Sequence, residues 1–343
     1  MRELKSFAKF VLQAIGRVTW LRDLWLAGAR WALCNVILPR HWRNFVLWEM
    51  ATHILSYDYV ETVNLFTGLR LTVGIEDSVS RSLLLCSWWH DYIWEPQTLR
   101  LALMLQSGGV TIVAGGHIGY DALHLARALQ TPGGRVIAFE PFSKSCRQFL
   151  KNQQDSKIDN VTLERIALSD HSQAEVVLHV AGSSSSIDVA RVSPDDRFER
   201  VRAVSLDDYA KEHSLESVEL IFLDVEGSEL KVLQGATSLL KCLPTIIMEI
   251  NRPNIGDLGF TPDDVYQFLF ARNYLLYFIV DDYFFDLRDY YHAEVVLYPL
   301  LGDDPNFQSR LTIFNILAVP DPQILQQSGI KILVNQPIGR KGT

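Results

Sequence analysis

A glycine-rich turn is the first place in this sequence where residue types and spacing could do chemistry. The β-branched run Gly109–Ala114 leads directly into Gly115, Gly116 and Gly119, and Tyr120–Gln130 then carries apolar residues at helical spacing. Glycines let a backbone approach a ligand closely, and the first turn of a helix presents N–H groups that have no partner within the helix. We therefore predict that this turn lies against a ligand, although a purely structural use of the glycines is the other interpretation.

An acidic residue follows the turn at a distance that indicates what the ligand is. Glu140 ends the next apolar run, Gly134–Glu140, 21 residues after Gly119. A carboxylate there can accept hydrogen bonds from both hydroxyls of a ribose, which predicts an adenosine-containing cofactor at the carboxyl ends of the strands. The dinucleotide pattern G-x-G-x-x-G would need a glycine where the chain has Ala114. This favours a cofactor without a pyrophosphate, such as one that carries methionine.

Four carboxylates lie at the ends of two further predicted strands and at the start of a helix, namely Asp224, Glu226, Glu229 and Glu249. Such positions face the ligand in an α/β fold, and a carboxylate there could act as a general base. We take Asp224 and Glu226 as the candidate catalytic residues. Glu229 is better explained as a favourable charge at a helix N-terminus, and Glu249 stays open between site and structure. Two carboxylates could contact Mg²⁺, but they are too few to predict a metal site.

The elements that must position these residues alternate between strand and helix from about residue 100. Alternation of this kind predicts a mostly parallel sheet with right-handed crossovers and helices on both faces. We expect about seven strands, the last two antiparallel, and a single helix over Ser228–Lys241. The predicted strands are Gly109–Ala114, Gly134–Glu140, Asn160–Leu168, Val218–Gly227, Pro244–Ile250, Tyr274–Val280 and Leu311–Val319. A stretch rich in Ser and Asp, at about 181–198, is expected to be irregular.

The rest of the chain divides into three segments. Residues 1–55 are predicted to form a helical extension, and 56–100 to form a β segment with a turn at Thr67-Gly68 and a helix that begins after Asp77. The core domain is expected over 101–320, followed by a C-terminal tail over 321–343. An aromatic run at 281–294 could line an acceptor pocket, or it could belong to the core or to a surface flap.

Several motifs in a fixed order resemble the FkbM-type family of S-adenosylmethionine-dependent methyltransferases. The resemblance spans roughly residues 60–320 and implies a Rossmann-like, class I methyltransferase fold with S-adenosylmethionine as cofactor. The motifs that carry it are Trp94–Pro96, Gly115–Tyr120, Val136–Pro141, Asn160–Asp170, Val204–Tyr209, Leu223–Ala236 and Ile246–Ile250.

The resemblance also implies a role for each matched residue. Glu140 would hold the ribose hydroxyls, Asp170 would contact the adenine amino group with Ser169 beside it, and Asp224 would lie near the reacting methyl group. The residues expected to shape the pocket for the methionine part of the cofactor are Gly115, Gly116, His117 and Gly119.

The chain departs from the family pattern at three positions. Val113 stands where the family usually has Asp, His117 where Asn is usual, and Phe222 where Lys is common. The missing Asp normally helps to arrange the amino-acid end of the cofactor. Its absence raises the question of cofactor affinity, for which His117 could compensate.

Charge is distributed unevenly and restricts the class of partner. The chain has a net charge of −8, whereas residues 1–50 carry eight basic and three acidic residues, so this segment is +5 and the remainder is −13. An acidic body argues against nucleic acid as a ligand. The N-terminal segment is best explained as a helical extension packed on the core, and peripheral contact with a membrane is the alternative. It contains five of the eight tryptophans, Trp20, Trp25, Trp31, Trp42 and Trp48.

The four cysteines are widely spaced, without a metal-binding or disulfide pattern, which favours a reduced, cytoplasmic protein. The sequence shows neither a secretory signal nor an uninterrupted apolar run long enough to cross a bilayer.

Three functions remain open at this stage. The leading hypothesis is an O-methyltransferase that acts on a small molecule, a glycan or a natural product. The alternative, motivated by Val113, is a catalytically weak or inactive cofactor-binding or scaffold protein of the same fold. A nicotinamide-dependent oxidoreductase is disfavoured, because its first glycine is missing and because Asp224–Glu229 belongs to the methyltransferase pattern.

Overall fold

The computed structural model describes residues 2–35, 45–56, 58–87, 92–129, 132–181, 184–186, 197–279, 295–300, 312–327 and 330–332. The chain forms two compact units. One contains residues 1–94 with 282–292, and the other contains 95–281 with 293–343. The predicted aromatic run at 281–294 lies outside the described residues.

The N-terminal unit is a set of helices joined to a β-hairpin. The hairpin turns at Gly68, whose φ of +84° lies in the left-handed region that glycine tolerates. Asp77 caps the helix that follows, as predicted, by accepting a hydrogen bond from the Ser80 N–H at 2.7 Å. The elements are α1 (Arg2–Arg17), α2 (Thr19–Asn35), a π-helical turn (Phe45–Met50), α3 (Ala51–Ile54), β1 (Glu61–Asn64), β2 (Arg70–Val73) and α4 (Ser78–Cys86).

Two contacts fix α1 and α2 within this unit. Gly16 lies so close to α3 that a Cβ there would be 1.9 Å from the Ile54 carbonyl oxygen. Arg30 is buried on the inner side of α2, where its guanidinium donates to the Leu84 carbonyl and pairs with Glu61 at 2.9 Å. A buried charge is tolerated when it is paired in this way. Among the described residues, no helix is long and apolar enough to cross a membrane.

The second unit is an α/β domain with two sheets. Its helices are α5 (Pro96–Leu105), α6 (Tyr120–Ala128), α7 (Ser143–Ser156), α8 (Leu206–Glu212), α9 (Glu229–Gln234), α10 (Arg252–Asp257), α11 (Pro262–Phe270) and α12 (Gln323–Gln327). Its strands are β3 (Val110–Ala114), β4 (Arg135–Phe139), β5 (Val161–Glu164), β6 (Ala167–Leu168), β7 (Gln173–Ala181), β8 (Ser184–Ser186), β9 (Arg197–Val204), β10 (Leu220–Leu223), β11 (Thr245–Asn251), β12 (Leu275–Ile279), β13 (Val296–Pro299), β14 (Ile313–Val319) and β15 (Lys331–Ile332).

The larger sheet has the order β15-β13-β12-β14-β11-β10-β3-β4-β5. Strands β5, β4, β3, β10 and β11 are mutually parallel, and β14 runs antiparallel between β11 and β12. The predicted Rossmann-like α/β fold is confirmed, as is the antiparallel pairing of its last two predicted strands. Strands β13 and β15 extend the sheet beyond the expected seven, and β15 comes from the predicted C-terminal tail.

The predicted strand Asn160–Leu168 is wrong as a single element. Its first half is β5 of the large sheet, whereas its second half is β6 of a separate four-stranded sheet with the order β6-β9-β7-β8. The sequence analysis missed this second sheet, because one face of its strands is exposed and the apolar signal is weak. Along β7, Leu178 is buried whereas Val177 is exposed. Part of the stretch expected to be irregular is β8, and residues 187–196 of it lie outside the described residues.

The predicted helix Ser228–Lys241 is interrupted at Gly235. A Cβ on Gly235 would lie 2.2 Å from the Ser169 carbonyl oxygen, so the backbone passes this loop too closely for any side chain. Helix α9 therefore ends at Gln234, and a 3₁₀ turn follows at Leu239–Cys242. The carboxylate of Asp207 accepts N–H bonds from Ser238 and Leu239 and so caps that turn.

Substitution of Gly235 by alanine should destabilise the fold through this contact alone, because its φ of −79° is ordinary for any residue. We expect Gly235→Ala to lower the free energy of unfolding by roughly 3 kcal/mol, since the backbone of the Ser169 loop must move. The measurement is urea denaturation followed by circular dichroism. Gly256→Ala is the matched control, because a Cβ at Gly256 in α10 would meet nothing within 4 Å. Equal stability of the two variants would contradict the steric explanation.

Candidate functional site

The glycine turn joins the ends of three strands. The N–H groups of Gly115 and Gly116 both donate to the Phe139 carbonyl at the end of β4, at 3.0 and 2.8 Å. On the other side, the Asp224 N–H donates to the Ala114 carbonyl at 2.9 Å. Gly115 has a φ of +87°, and a Cβ there would lie 1.8 Å from the Asp224 carbonyl oxygen. Glycine is therefore required at this position by both conformation and space.

The same turn explains the histidine that replaces the family's asparagine. His117 has a φ of +44°, in the left-handed region where Asn, Asp and His are the enriched non-glycine residues. Histidine can therefore take the backbone conformation that asparagine would take. Gly119, with a φ of +90°, is the N-cap of α6, where a Cβ would crowd Leu123 and Phe149.

Glu140 is brought directly to this turn. Its Oε2 accepts the His117 N–H at 2.7 Å, and its Oε1 accepts the Phe142 N–H at 2.8 Å. Burial raises the pKa of Glu140, although His117 and the two N–H bonds favour the charged form. These two hydrogen bonds fix the plane of the Glu140 carboxylate. Its two oxygens keep further lone pairs that can accept hydrogen bonds from a ligand. This geometry suits the predicted role in holding a ribose.

Ser169 and Asp170 lie just after β6, on the loop that Gly235 contacts. Ser169 is buried and donates through Oγ to Asp170 at 3.0 Å, and the exposed Asp170 also contacts His171 Nδ1 at 2.7 Å. Burial raises the pKa of Asp170, but hydrogen bonds from His171 and Ser169 outweigh it and lower the pKa overall. Asp170 is thus an accessible, ionised acceptor, and its predicted contact with adenine stays a prediction.

Asp224 lies in a recess at the carboxyl end of β10. Its side chain remains accessible to solvent, yet burial by surrounding protein raises its pKa well above the usual range. The neighbouring charges Glu226, Glu95 and Glu229 raise the pKa further. A carboxylate that is both accessible and enclosed is typical of a ligand-binding site, because the open side faces the ligand.

Glu249 and Glu95 add two carboxylates to the same recess. Glu249 on β11 stands in register with Asn315 on β14, and Asn315 Nδ2 donates to Glu95 Oε2 at 2.7 Å. Burial raises the pKa of Glu249 well above its usual range, and Asp224 and Glu95 raise it further. Like charges at this proximity cannot all ionise at once, so the group shares protons. From the sequence, Glu249 could belong either to the site or to the structure. No role was expected for Glu95, although it lies in Trp94–Pro96, one of the motifs that carry the family resemblance.

Glu226 is held differently from Asp224. Its Oε2 accepts hydrogen bonds from Asn254 Nδ2 at 2.7 Å and from Asn251 Nδ2 at 3.5 Å, which tie the loop after β10 to α10. Gly227 follows with a φ of +102°, and a Cβ there would lie 2.7 Å from the Asn254 backbone. These contacts give Glu226 a positioning role, so Asp224 is the better candidate for a catalytic group.

Glu229 and His124 have structural roles. Glu229 is fully buried and its Oε1 accepts the N–H groups of Val225 and Gly227, at 3.3 and 3.1 Å. His124 is buried on α6 with Nδ1 2.8 Å from the Tyr120 carbonyl oxygen, and burial lowers its pKa to about 4. Within the described ranges, no three side chains are grouped as a metal site would require.

Comparison with known proteins identifies the domain that carries this site. Residues 114–276 match the family model described as the methyltransferase FkbM domain. This region is an FkbM methyltransferase domain. The resemblance drawn from the motifs is thereby confirmed over these residues, and the match agrees with the expected cofactor, S-adenosylmethionine. No curated protein matches the chain.

Solved structures with a similar fold include three methyltransferases. Methyltransferase FkbM from Methylobacillus flagellatus KT has 16% identity and a TM-score of 0.35, with 68% of this chain and 54% of that chain covered. The precorrin-6y C5,15-methyltransferase of Geobacter metallireducens GS-15 has 14% identity, a TM-score of 0.36 and coverages of 73% and 97%. A SAM-dependent methyltransferase from Aquifex aeolicus has 13% identity, a TM-score of 0.34 and coverages of 66% and 90%.

The FkbM domain of this chain departs from the family pattern at two positions that prove to be neighbours. Val113 on β3 and Phe222 on β10 are register partners on adjacent parallel strands, so their side chains lie on the same face. Both are buried. Where the family pattern has Asp and Lys, this chain has an apolar pair. The two departures are therefore one change, in which two opposite charges are replaced together and neither is left buried alone.

A double-mutant cycle tests this pairing. Val113→Asp alone should lower the free energy of unfolding by about 3 kcal/mol or more, because it buries a carboxylate without a partner. Phe222→Lys alone should also destabilise the domain. The double variant should be more stable than the sum of the single effects predicts, by at least about 1 kcal/mol. Additive losses in urea denaturation would show that the two positions do not interact.

Glu229 should make the stability of the FkbM domain depend on pH. Burial raises its pKa to about 7, so the folded state holds this proton more tightly than the unfolded state does. Its contribution is therefore complete below the ordinary pKa of a glutamate and is lost as the pH rises through 7. Glu229→Gln keeps the Oε1 acceptor and removes the ionisation. We expect the variant to be more stable than the wild type at pH 8, by roughly 3 kcal/mol at most.

The measurement is urea denaturation at pH 5 and at pH 8. Glu216→Gln, at an exposed position, is the control and should leave the pH dependence as it is in the wild type. A Glu229→Gln variant that loses as much stability between these pH values as the wild type does would show that another group titrates.

Proposed function

We propose that this protein transfers a methyl group from S-adenosylmethionine to a hydroxyl group of a small molecule, a glycan or a natural product. The observation that carries the proposal is the position of Asp224. Asp224 is exposed to solvent while surrounding protein raises its pKa, and its own backbone contacts the glycine turn. A general base is therefore held beside the predicted cofactor pocket.

The charges around Asp224 support a cofactor that carries positive charge. The charged groups that act most strongly on Asp224 are all carboxylates, namely Glu226, Glu95, Glu229 and Asp121. S-adenosylmethionine has both a sulfonium and an ammonium group, which complement such a recess. Its ribose would meet Glu140, and the glycine turn leaves room for a backbone contact with the ligand. The donor set therefore fits this cofactor.

A hydroxyl is the acceptor that this recess suits best. Anionic acceptors such as carboxylates or phosphates would be repelled by whichever of Asp224, Glu249 and Glu95 are ionised, and would raise the pKa values of the group further. A hydroxyl is neutral, but it must lose its proton as its oxygen forms the new bond to carbon. Asp224 would accept that proton, and its raised pKa supports this role because its ionised form is a stronger base than an ordinary aspartate.

The chain's own residues perform three tasks in this reaction. The bound cofactor supplies an electrophilic methyl group on sulfur. The glycine turn and Glu140 orient the nucleoside, so that acceptor oxygen and methyl carbon can be aligned. Asp224 would accept the proton that the acceptor hydroxyl loses. Glu226, held by Asn251 and Asn254, keeps the loop of Asp224 in place.

The second candidate function is that of an inactive scaffold protein. It was suggested by Val113, which stands where the family usually has an Asp that arranges the cofactor. Val113 and Phe222 are register partners in the sheet interior, so the replacement of both family residues leaves no unpaired buried charge that would destabilise the domain. The exposed residue Asp224 would also provide an active enzyme with a general base. The methyltransferase proposal is therefore the better supported of the two.

Calorimetric titration with S-adenosylmethionine and S-adenosylhomocysteine tests the cofactor, and transfer of labelled methyl to a panel of monosaccharides and hydroxylated natural products tests the reaction. Glu140→Gln should weaken both titrations by about tenfold or more, because a ribose acceptor is lost. Asp224→Asn should still bind S-adenosylhomocysteine but should transfer methyl at least about a hundredfold more slowly.

Tyr274→Phe is the matched control, because the Tyr274 hydroxyl donates to the Pro244 carbonyl before the start of β11, at the opposite end of that strand from Glu249, and its loss should leave both measurements unchanged. A folded wild-type protein that binds neither compound would favour the scaffold function. Undiminished transfer by Asp224→Asn would remove Asp224 as the base.

A further inference from the structure

An apolar stripe runs along the outer side of α2 in the N-terminal unit. Trp20, Leu24 and Trp31 are 66%, 64% and 63% exposed, and the exposed Ala27 lies between them. Steps of three and four residues place these four positions on one side of a helix. Large apolar side chains clustered in this way are uncommon on the surface of a monomeric protein and mark an interaction surface.

The stripe does not result from a loosely held helix. The opposite side of α2 is buried through Leu26, Ala29 and Leu33, and Arg30 binds the Leu84 carbonyl and Glu61 from that side. The helix is thus fixed with one side inward. Its tryptophans are held outward by the packing of the unit itself.

Helix α1 of the same unit also exposes apolar and basic groups. Phe10 is 64% exposed, and Lys9 and Arg17 on the same helix are also exposed. Phe10 and Arg17 are seven residues apart and so lie on one side of α1. The exposed residues of α1 and α2 therefore combine aromatic rings with cations, as expected of helices that lie in a membrane interface.

We infer that this surface docks on an anionic lipid bilayer. Tryptophan is enriched at membrane interfaces, because its ring is apolar and its N–H is polar. The charge of residues 1–50 is +5, whereas the remainder of the chain is −13. Anionic headgroups attract the N-terminal segment and repel the rest, so the charge distribution favours contact with the bilayer through residues 1–50.

A second copy of the chain is a poorer occupant of this surface. A twofold contact brings the same patch of each copy together. It would place the two basic segments against each other, and like charges at close range are unfavourable. An anionic bilayer satisfies the apolar stripe and the cations together.

Flotation of the full-length protein with vesicles tests the inference. The wild type should float with vesicles of phosphatidylcholine and phosphatidylglycerol, and at least about tenfold less with phosphatidylcholine alone. Trp20→Ser with Leu24→Ser should reduce flotation by about tenfold or more, because the stripe is lost. Lys9→Glu with Arg17→Glu should reduce it as well. Leu150→Ser, at an exposed leucine of α7, is the matched control and should float as the wild type does.

Circular dichroism and S-adenosylhomocysteine binding of each variant establish that the protein is folded. Failure of the wild type to float with anionic vesicles would overturn the inference, as would equal flotation of Trp20→Ser/Leu24→Ser. Sedimentation equilibrium tests whether a second copy of the chain, rather than a bilayer, covers the stripe. A wild-type dimer that this variant converts to a monomer would show that the stripe covers a second copy instead.

Discussion

The site depends on a single close approach between two backbones, at Gly115 and Asp224. A Cβ on Gly115 would lie 1.8 Å from the Asp224 carbonyl oxygen, and the Asp224 N–H completes the contact by donating to Ala114. The Gly115 N–H simultaneously reaches Phe139. Three strand ends are thereby fixed relative to one another. Glu140 and Asp224 directly follow two of these strands, so their positions relative to the glycine turn derive from this contact, whereas Ser169 and Asp170 follow β6 of the second sheet.

Electrostatics give the recess its chemistry. Parallel strands bring their carboxyl ends to one edge of a sheet, and here Asp224 and Glu249 end or nearly end two neighbouring strands while Glu95 arrives from the start of α5. Burial raises the pKa of Asp224 and of Glu249 first, and repulsion from neighbouring carboxylates raises both further. Binding of a proton or of a cation lowers the repulsion among these carboxylates. In the proposed reaction, the sulfonium would supply the cation and the acceptor hydroxyl would supply the proton.

Short-range patterns predicted the parts of the site that lie within one strand–turn–helix unit. The glycine turn, Glu140 and Asp224 follow buried runs directly, so their place at the strand ends could be predicted from the sequence. Contacts between distant segments could not. Asn315 reaches Glu95 across 220 positions, and the break in the predicted helix at Gly235 comes from the Ser169 loop. The second sheet was missed for a related reason, since its strands pair outside the strand–helix alternation.

Register also changes what the departures from the family mean. Val113 and Phe222 are separate substitutions in the sequence, and only their pairing across β3 and β10 shows that one apolar contact replaces two charges. This replacement removes charge from the sheet interior and leaves the carboxylates of the recess as the charged groups near the end of β10. In the proposed reaction, the ionised carboxylates near the end of β10 would disfavour anionic acceptors relative to neutral ones before any specific contact is made, because charge repulsion acts at longer range than a hydrogen bond.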